Sequence, residues 1–87
     1  MAQKTKDELF ILQLYELTQE AGRPETPFNR YQVGKSIGIA ERGVDATCAL
    51  LIRTNFIKKV DQSHEIYLTA HGEKLALQLL SEKEGGR

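Results

Sequence analysis

The stretch Asn55-Phe56-Ile57-Lys58-Lys59-Val60-Asp61-Gln62-Ser63-His64-Glu65-Ile66-Tyr67-Leu68 decides the fold class. Residues 56–61 and 65–68 are rich in β-branched and aromatic side chains, and Gln62-Ser63-His64 separates them at hairpin spacing, so two antiparallel strands are expected. The sequence on either side reads as helix. The expected class is mainly α with a small antiparallel β-hairpin, an α+β fold.

Upstream, Val44, Cys48 and Leu51 recur at i, i+4 and i+7 with Leu50 beside them, which gives one apolar face of a helix starting at about Ala40 or Glu41. Asn55 closes it, because asparagine tolerates the left-handed conformation that ends helices. Before it, Thr26-Pro27 offers an N-cap and a first-turn proline for a shorter helix over about 28–37, with Val33 and Ile37 four apart, Gly38 as terminator and Ile39 in the turn. Thr5-Lys6-Asp7-Glu8 has capping-box spacing and opens a helix near Lys6 that carries Leu9, Phe10, Ile11, Leu12, Leu14, Tyr15 and Leu17 and stops at Gly22. Downstream, Thr69 caps a last helix in which Leu75, Ala76 and Leu79, with Leu77 and Leu80, span more than one face. The expected order is helix-helix-helix-strand-strand-helix, with residues 1–5 and 82–87 frayed.

A length of 87 residues allows one small domain, 1–87, and 40% apolar with 28% charged residues is an ordinary globular composition. No apolar run, that of residues 9–12 included, approaches the roughly 20 residues of a membrane span, and no basic-then-apolar leader opens the chain. A cytoplasmic protein with no membrane partner is expected. The single cysteine, Cys48, cannot form an internal disulfide, and with two distant histidines it makes no zinc site, so neither metal nor cofactor is expected.

Enzymatic chemistry finds no support in the residues. Gly34-Lys35-Ser36 matches the end of a phosphate-binding loop, but Asn29 stands where the first glycine belongs and no strand precedes it. No acid, nucleophile or oxyanion-stabilising group surrounds His64 or His71, which read as a solvated hairpin-tip residue and a first-turn helix residue. Cys48 reads as a small core hydrophobe.

The order of elements resembles a winged helix-turn-helix domain. The resemblance is carried by Val33-Gly34-Lys35-Ser36-Ile37-Gly38-Ile39, by the inner face of Val44, Cys48 and Leu51, and by Asn55-Phe56-Ile57, where such domains usually read Gly-Leu-Ile. Leu68-Thr69-Ala70-His71-Gly72 is similar to the Leu-Thr-x-x-Gly entry to the last helix of small prokaryotic regulators, including the multiple-antibiotic-resistance repressor type. The resemblance covers nearly the whole chain. It implies a transcriptional regulator whose third helix, about 41–54, enters the major groove of duplex DNA, whose wing, about 56–68, touches an adjacent groove or the phosphates, and whose outer helices pair in a homodimer.

Transferred residue by residue, the third helix exposes Glu41, Arg42, Gly43, Asp45, Ala46, Ala49 and Arg53. Positions that in such domains carry Ser, Thr, Arg or Gln hold Gly43, Asp45 and Ala46 here, and an acidic side chain facing bases is welcomed only by a cytosine amino group. The expected DNA contacts are Arg30, Lys35, Arg42, Asp45, Ala46, Arg53, Lys58 and Lys59. The expected dimer contacts are Leu9, Phe10, Leu14, Leu77 and Leu80, from the surplus of apolar residues on the outer helices.

Twelve basic residues balance twelve acidic ones, which excludes only indiscriminate polycationic binding. By segment, residues 1–22 carry two basic and four acidic groups, 23–60 seven and three, and 61–87 three and five, giving −2, +4 and −2. Positive charge falls on the segment that would face DNA. The alternative reading is a winged helix used as a protein-interaction or assembly module, with Gly43, Ala46 and Ala49 forming a flat face for a protein partner. A third is a regulator that binds a small molecule between its dimer helices and its DNA-binding unit.

Overall fold

The capping box at the start of the first helix forms. In the computed structural model, which describes residues 5–85, the Glu8 amide donates to Thr5 Oγ1 at 3.3 Å and the Thr5 amide donates to Glu8 Oε1 at 3.0 Å. With these donors satisfied, helix α1 runs Lys6–Ala21 and ends at Gly22, whose φ of 77° costs a glycine nothing. Thr5 is thus a cap and not a frayed residue. The last helix runs to Gly85, and residues 1–4 and 86–87, part of the segments expected to fray, lie outside the described residues.

The segment after α1 departs from expectation. Thr26 Oγ1 donates back to the Arg23 carbonyl at 2.7 Å instead of capping a helix, and Phe28–Asn29 form a two-residue strand, β1. Asn29 Oδ1 accepts from the amides of Tyr31 (2.9 Å) and Gln32 (3.4 Å), so helix α2 begins two residues late, as Arg30–Ser36. At its end the Gly38 amide donates to the Lys35 carbonyl and the Ile39 amide to the Gly34 carbonyl. With Gly38 at φ 80°, this is a Schellman turn.

Helix α3, Glu41–Arg53, closes in the same way. Asn55 is left-handed (φ 68°), its amide donates to Ile52 O, and the Phe56 amide donates to Leu51 O. The chain then enters strand β2, Ile57–Lys59, and returns as β3, Glu65–Leu68. β3 is the central strand of an antiparallel sheet of order β1-β3-β2, with Ile57 opposite Leu68, Lys58 opposite Tyr67 and Phe28 opposite Ile66. The described chain is therefore mainly helical with a small three-stranded antiparallel sheet, in the order α1-β1-α2-α3-β2-β3-α4.

Helix α4, Ala70–Gly85, is tied to the hairpin at its first turn. Thr69 Oγ1 accepts from the Gly72 amide at 3.0 Å and donates to the Asn55 carbonyl at 2.6 Å, while the Thr69 amide donates to the Phe56 carbonyl. Gly72 permits this approach, since a Cβ there would overlap the Phe56 carbonyl oxygen. One core joins Phe10, Ile11 and Leu14 of α1, Val33 of α2, Val44, Cys48 and Leu51 of α3, Ile57, Ile66 and Leu68 of the sheet, and Ala76 of α4. No helix among the described residues is long and apolar enough to cross a membrane.

Candidate functional site

Helix α3 is strongly two-sided. Val44, Thr47, Cys48 and Leu51 are buried, and Glu41, Arg42, Asp45, Ala46, Ala49 and Arg53 are exposed. At 3.6 residues per turn, Arg42, Asp45, Ala46, Ala49 and Arg53 share an arc of about 100°, with the two arginines roughly 16 Å apart along the axis. Gly43, expected on the exposed side, is instead half-buried, and a Cβ there would lie 2.9 Å from Ile39 Cγ2. Gly34 plays the matching part on α2. A Cβ at Gly34 would overlap Val44 Cγ2, so its absence lets α2 and α3 touch.

The cations expected to gather are only partly brought together. Lys35 is exposed on α2, and Lys58 and Lys59 are exposed on β2, which follows α3 directly. Neighbouring side chains on a strand leave from opposite faces, so the two lysines diverge. Arg30 is half-buried and serves as a strut. Its backbone amide and its Nε both donate to the carbonyl oxygen of His64, each at 3.1 Å, which holds the hairpin loop against the start of α2.

Two residues absent from the expected site complete it. Tyr31 Oη donates to Asp45 Oδ1 at 2.7 Å, and the Tyr31 ring meets the His64 ring edge-on with centroids 5.2 Å apart. The hydrogen bond to Asp45, followed by burial and the Asp45 charge, raises the pKa of the phenol above its ordinary value. Hairpin loop, α2 and α3 are thus linked through His64, Arg30, Tyr31 and Asp45. Tyr31 and Asp45 are 14 positions apart, beyond the reach of any helix or strand period. The loop itself is shaped by Asp61 in left-handed backbone (φ 48°) and by Ser63, whose hydroxyl donates to Val60 O at 2.7 Å and accepts from the Glu65 amide at 3.1 Å. His71 stacks on Phe56 with centroids 4.6 Å apart at the α4 entry.

The outer helices present less apolar surface than expected. Phe10 and Leu14, expected at a dimer contact, are both 0% exposed in the chain's own core and have no surface to offer. Leu9 is 39% and Leu77 49% exposed. Leu9 and Leu80 line an open groove of about 410 Å³ with Leu12, Tyr15 and Ile37, and Leu77 lies outside that lining.

Cys48 is buried among apolar neighbours, and burial pushes its thiol up to about 11. The folded state favours the protonated thiol more than the unfolded state does. Its contribution to stability is therefore complete below the ordinary thiol range and is lost as pH rises from about 9 towards 11. Denaturant titrations between pH 8 and 11 should show a steeper alkaline loss in wild type than in Cys48→Ala. Equal slopes would remove Cys48 from the account.

Among the described residues no group of three or more His, Cys, Asp or Glu side chains is placed to hold a metal ion. Compared with protein-family models, curated proteins and solved structures, the chain matches none.

Proposed function

We propose that this chain is a DNA-binding transcriptional regulator of winged-helix type, acting as a homodimer without enzyme activity. The observation that carries the reading is the outward arc of α3. It bears Arg42 and Arg53 with only small residues and Asp45 between them, and it leads straight into the hairpin that bears Lys58 and Lys59. An α-helix fits the major groove of B-DNA, and small side chains along its outward face let the helix axis approach the base edges. In this reading α3 is the recognition helix and the β2–β3 hairpin is the wing. The Schellman turn between α2 and α3 and the Gly34–Val44 approach support a helix pair of fixed geometry, in which Lys35 on α2 meets a phosphate while α3 lies in the groove. Arg30 then contributes by fixing the wing relative to α2.

In the dimer, the exposed Leu9 and Leu77 and the half-buried Leu80 supply the apolar contacts from α1 and α4, and the acidic balance of those segments keeps them away from the phosphates. Two-fold symmetry presents the recognition helices to successive major grooves, about 34 Å apart or a multiple of that. Net neutrality limits the phosphate contacts to the few cations of the central segment, so the expected binding is modest and depends on salt.

Fluorescence anisotropy with a labelled random duplex tests this. Binding should appear at low salt with two chains per duplex and weaken steeply as salt rises. Lys58→Ala should weaken all sequences alike and lower the salt slope by about 1 per protomer. No binding at low salt, or binding that ignores salt, would overturn the proposal. The flat Ala46–Ala49 face would then belong to a protein partner.

A further inference from the structure

The Tyr31–Asp45 hydrogen bond sits on the arc of α3 that, in the reading above, faces the base edges, and the following inference rests on that reading. A carboxylate between two arginines is the least expected group on a surface meant for a polyanion. It is also the only hydrogen-bonding side chain between them, because Ala46 and Ala49 offer methyl groups alone. Its geometry is set from behind. Asp45 Oδ1 accepts the Tyr31 hydroxyl at 2.7 Å, the Tyr31 ring rests edge-on against His64, and Arg30 clamps the His64 carbonyl. Among the described hydrogen bonds Oδ2 takes none, and Asp45 itself is exposed.

We propose that Tyr31 is a positioning residue that holds Asp45 so that its second carboxylate oxygen reads a cytosine in the major groove. The chemistry selects the base. Guanine presents O6 and N7 and thymine presents O4, all acceptors that repel a carboxylate. Adenine offers its N6 amino group beside the N7 acceptor, whereas cytosine offers its N4 amino group beside a C–H. A freely rotating aspartate would lose side-chain entropy on making this contact and would carry its full charge towards the phosphates. One held by a phenol has already lost that freedom and shares its charge with a donor.

The test is selection from a pool of random duplexes at low salt, followed by sequencing, with wild type, Tyr31→Phe and Asp45→Asn. Wild type should favour cytosine about tenfold at one position of each half-site. Tyr31→Phe keeps the ring against His64 and removes only the hydroxyl, and it should lose most of that preference. Asp45→Asn should move the preference at the same position from cytosine to adenine, because a carboxamide can serve N6 and N7 together. A bond with a merely structural role would change melting but not the identity of the selected base, and a misfolded variant would not acquire a new one. If wild type selects no cytosine, or all three proteins select the same base there, the inference is overturned while the DNA-binding reading stands. If wild type retains no duplex at any salt, both fall.

Discussion

Gly72→Ala is expected to lower the free energy of unfolding by about 3 kcal/mol, the upper end of what overpacking costs. Helix propensity alone gives the opposite sign, since alanine is the better helix former by about 1 kcal/mol. Sterics win because the obstacle is main chain. A Cβ at Gly72 would overlap the Phe56 carbonyl oxygen and press on Leu68 Cδ1, and a carbonyl that already accepts the Thr69 amide cannot rotate aside. Relief requires α4 to lift away from the strand-entry segment, which would also part the Phe56–His71 stack. Urea denaturation measures the loss, and at roughly 4–8 °C per kcal/mol the melting point should fall by about 15 °C. A variant as stable as wild type would show that the close approach is not needed.

Phe10→Ala is expected to cost about 4 kcal/mol. Phe10 is completely buried and sits in the same core cluster as side chains from α2, α3, the sheet and α4. Truncation therefore leaves a cavity bordered by several elements instead of one that a single helix can collapse to fill. At about 0.05–0.15 kcal/mol per residue, a domain of 87 residues holds roughly 4–13 kcal/mol in all, so this one change removes a large share. Phe10→Leu, which keeps most of the volume, should cost only about 1 kcal/mol. Circular dichroism melts of the pair separate the outcomes. Nearly equal melts would show that Phe10 is not held in a tightly packed core.

That contrast bears on what the amino-acid order made legible. Local chemistry read correctly where one residue had one job. The Thr5–Glu8 box, the Gly22 stop and the left-handed Asn55 all act within a turn of themselves, and so does the capping bond from the Gly72 amide to Thr69, although the Thr69 hydroxyl also ties to the distant Asn55 carbonyl. Thr26-Pro27 misled because its pattern suits a helix start, yet the Thr26 hydroxyl turns back to Arg23 and Asn29, two residues beyond the proline, takes the capping role. A two-residue strand such as Phe28–Asn29 has no period to detect. Its existence depends on β3, nearly 40 positions away, being free on that edge. The surplus of apolar residues on α1 had suggested a partner for Phe10 and Leu14, but the chain's own sheet and helices supply it. The outward arginines of α3 followed from helical register. Tyr31 did not, because its bond to Asp45 arises only when α2 packs on α3, and Gly34 permits that packing through an atom it lacks.

The placement of Lys58 and Lys59 has a consequence for how the protein behaves at high concentration. β2 is an outer strand of the sheet, and an outer strand offers unpaired backbone groups to any other chain that can align with it. Here that outer strand is only three residues long, and two of them end in ammonium groups exposed to water. A second copy approaching edge to edge would bring like charges together before any ladder could form. The same lysines that give the central segment its positive charge thus also keep the sheet from growing between molecules. Substitutions there are best made to alanine or glutamine, because a β-branched pair would turn a guarded edge into a template for self-association.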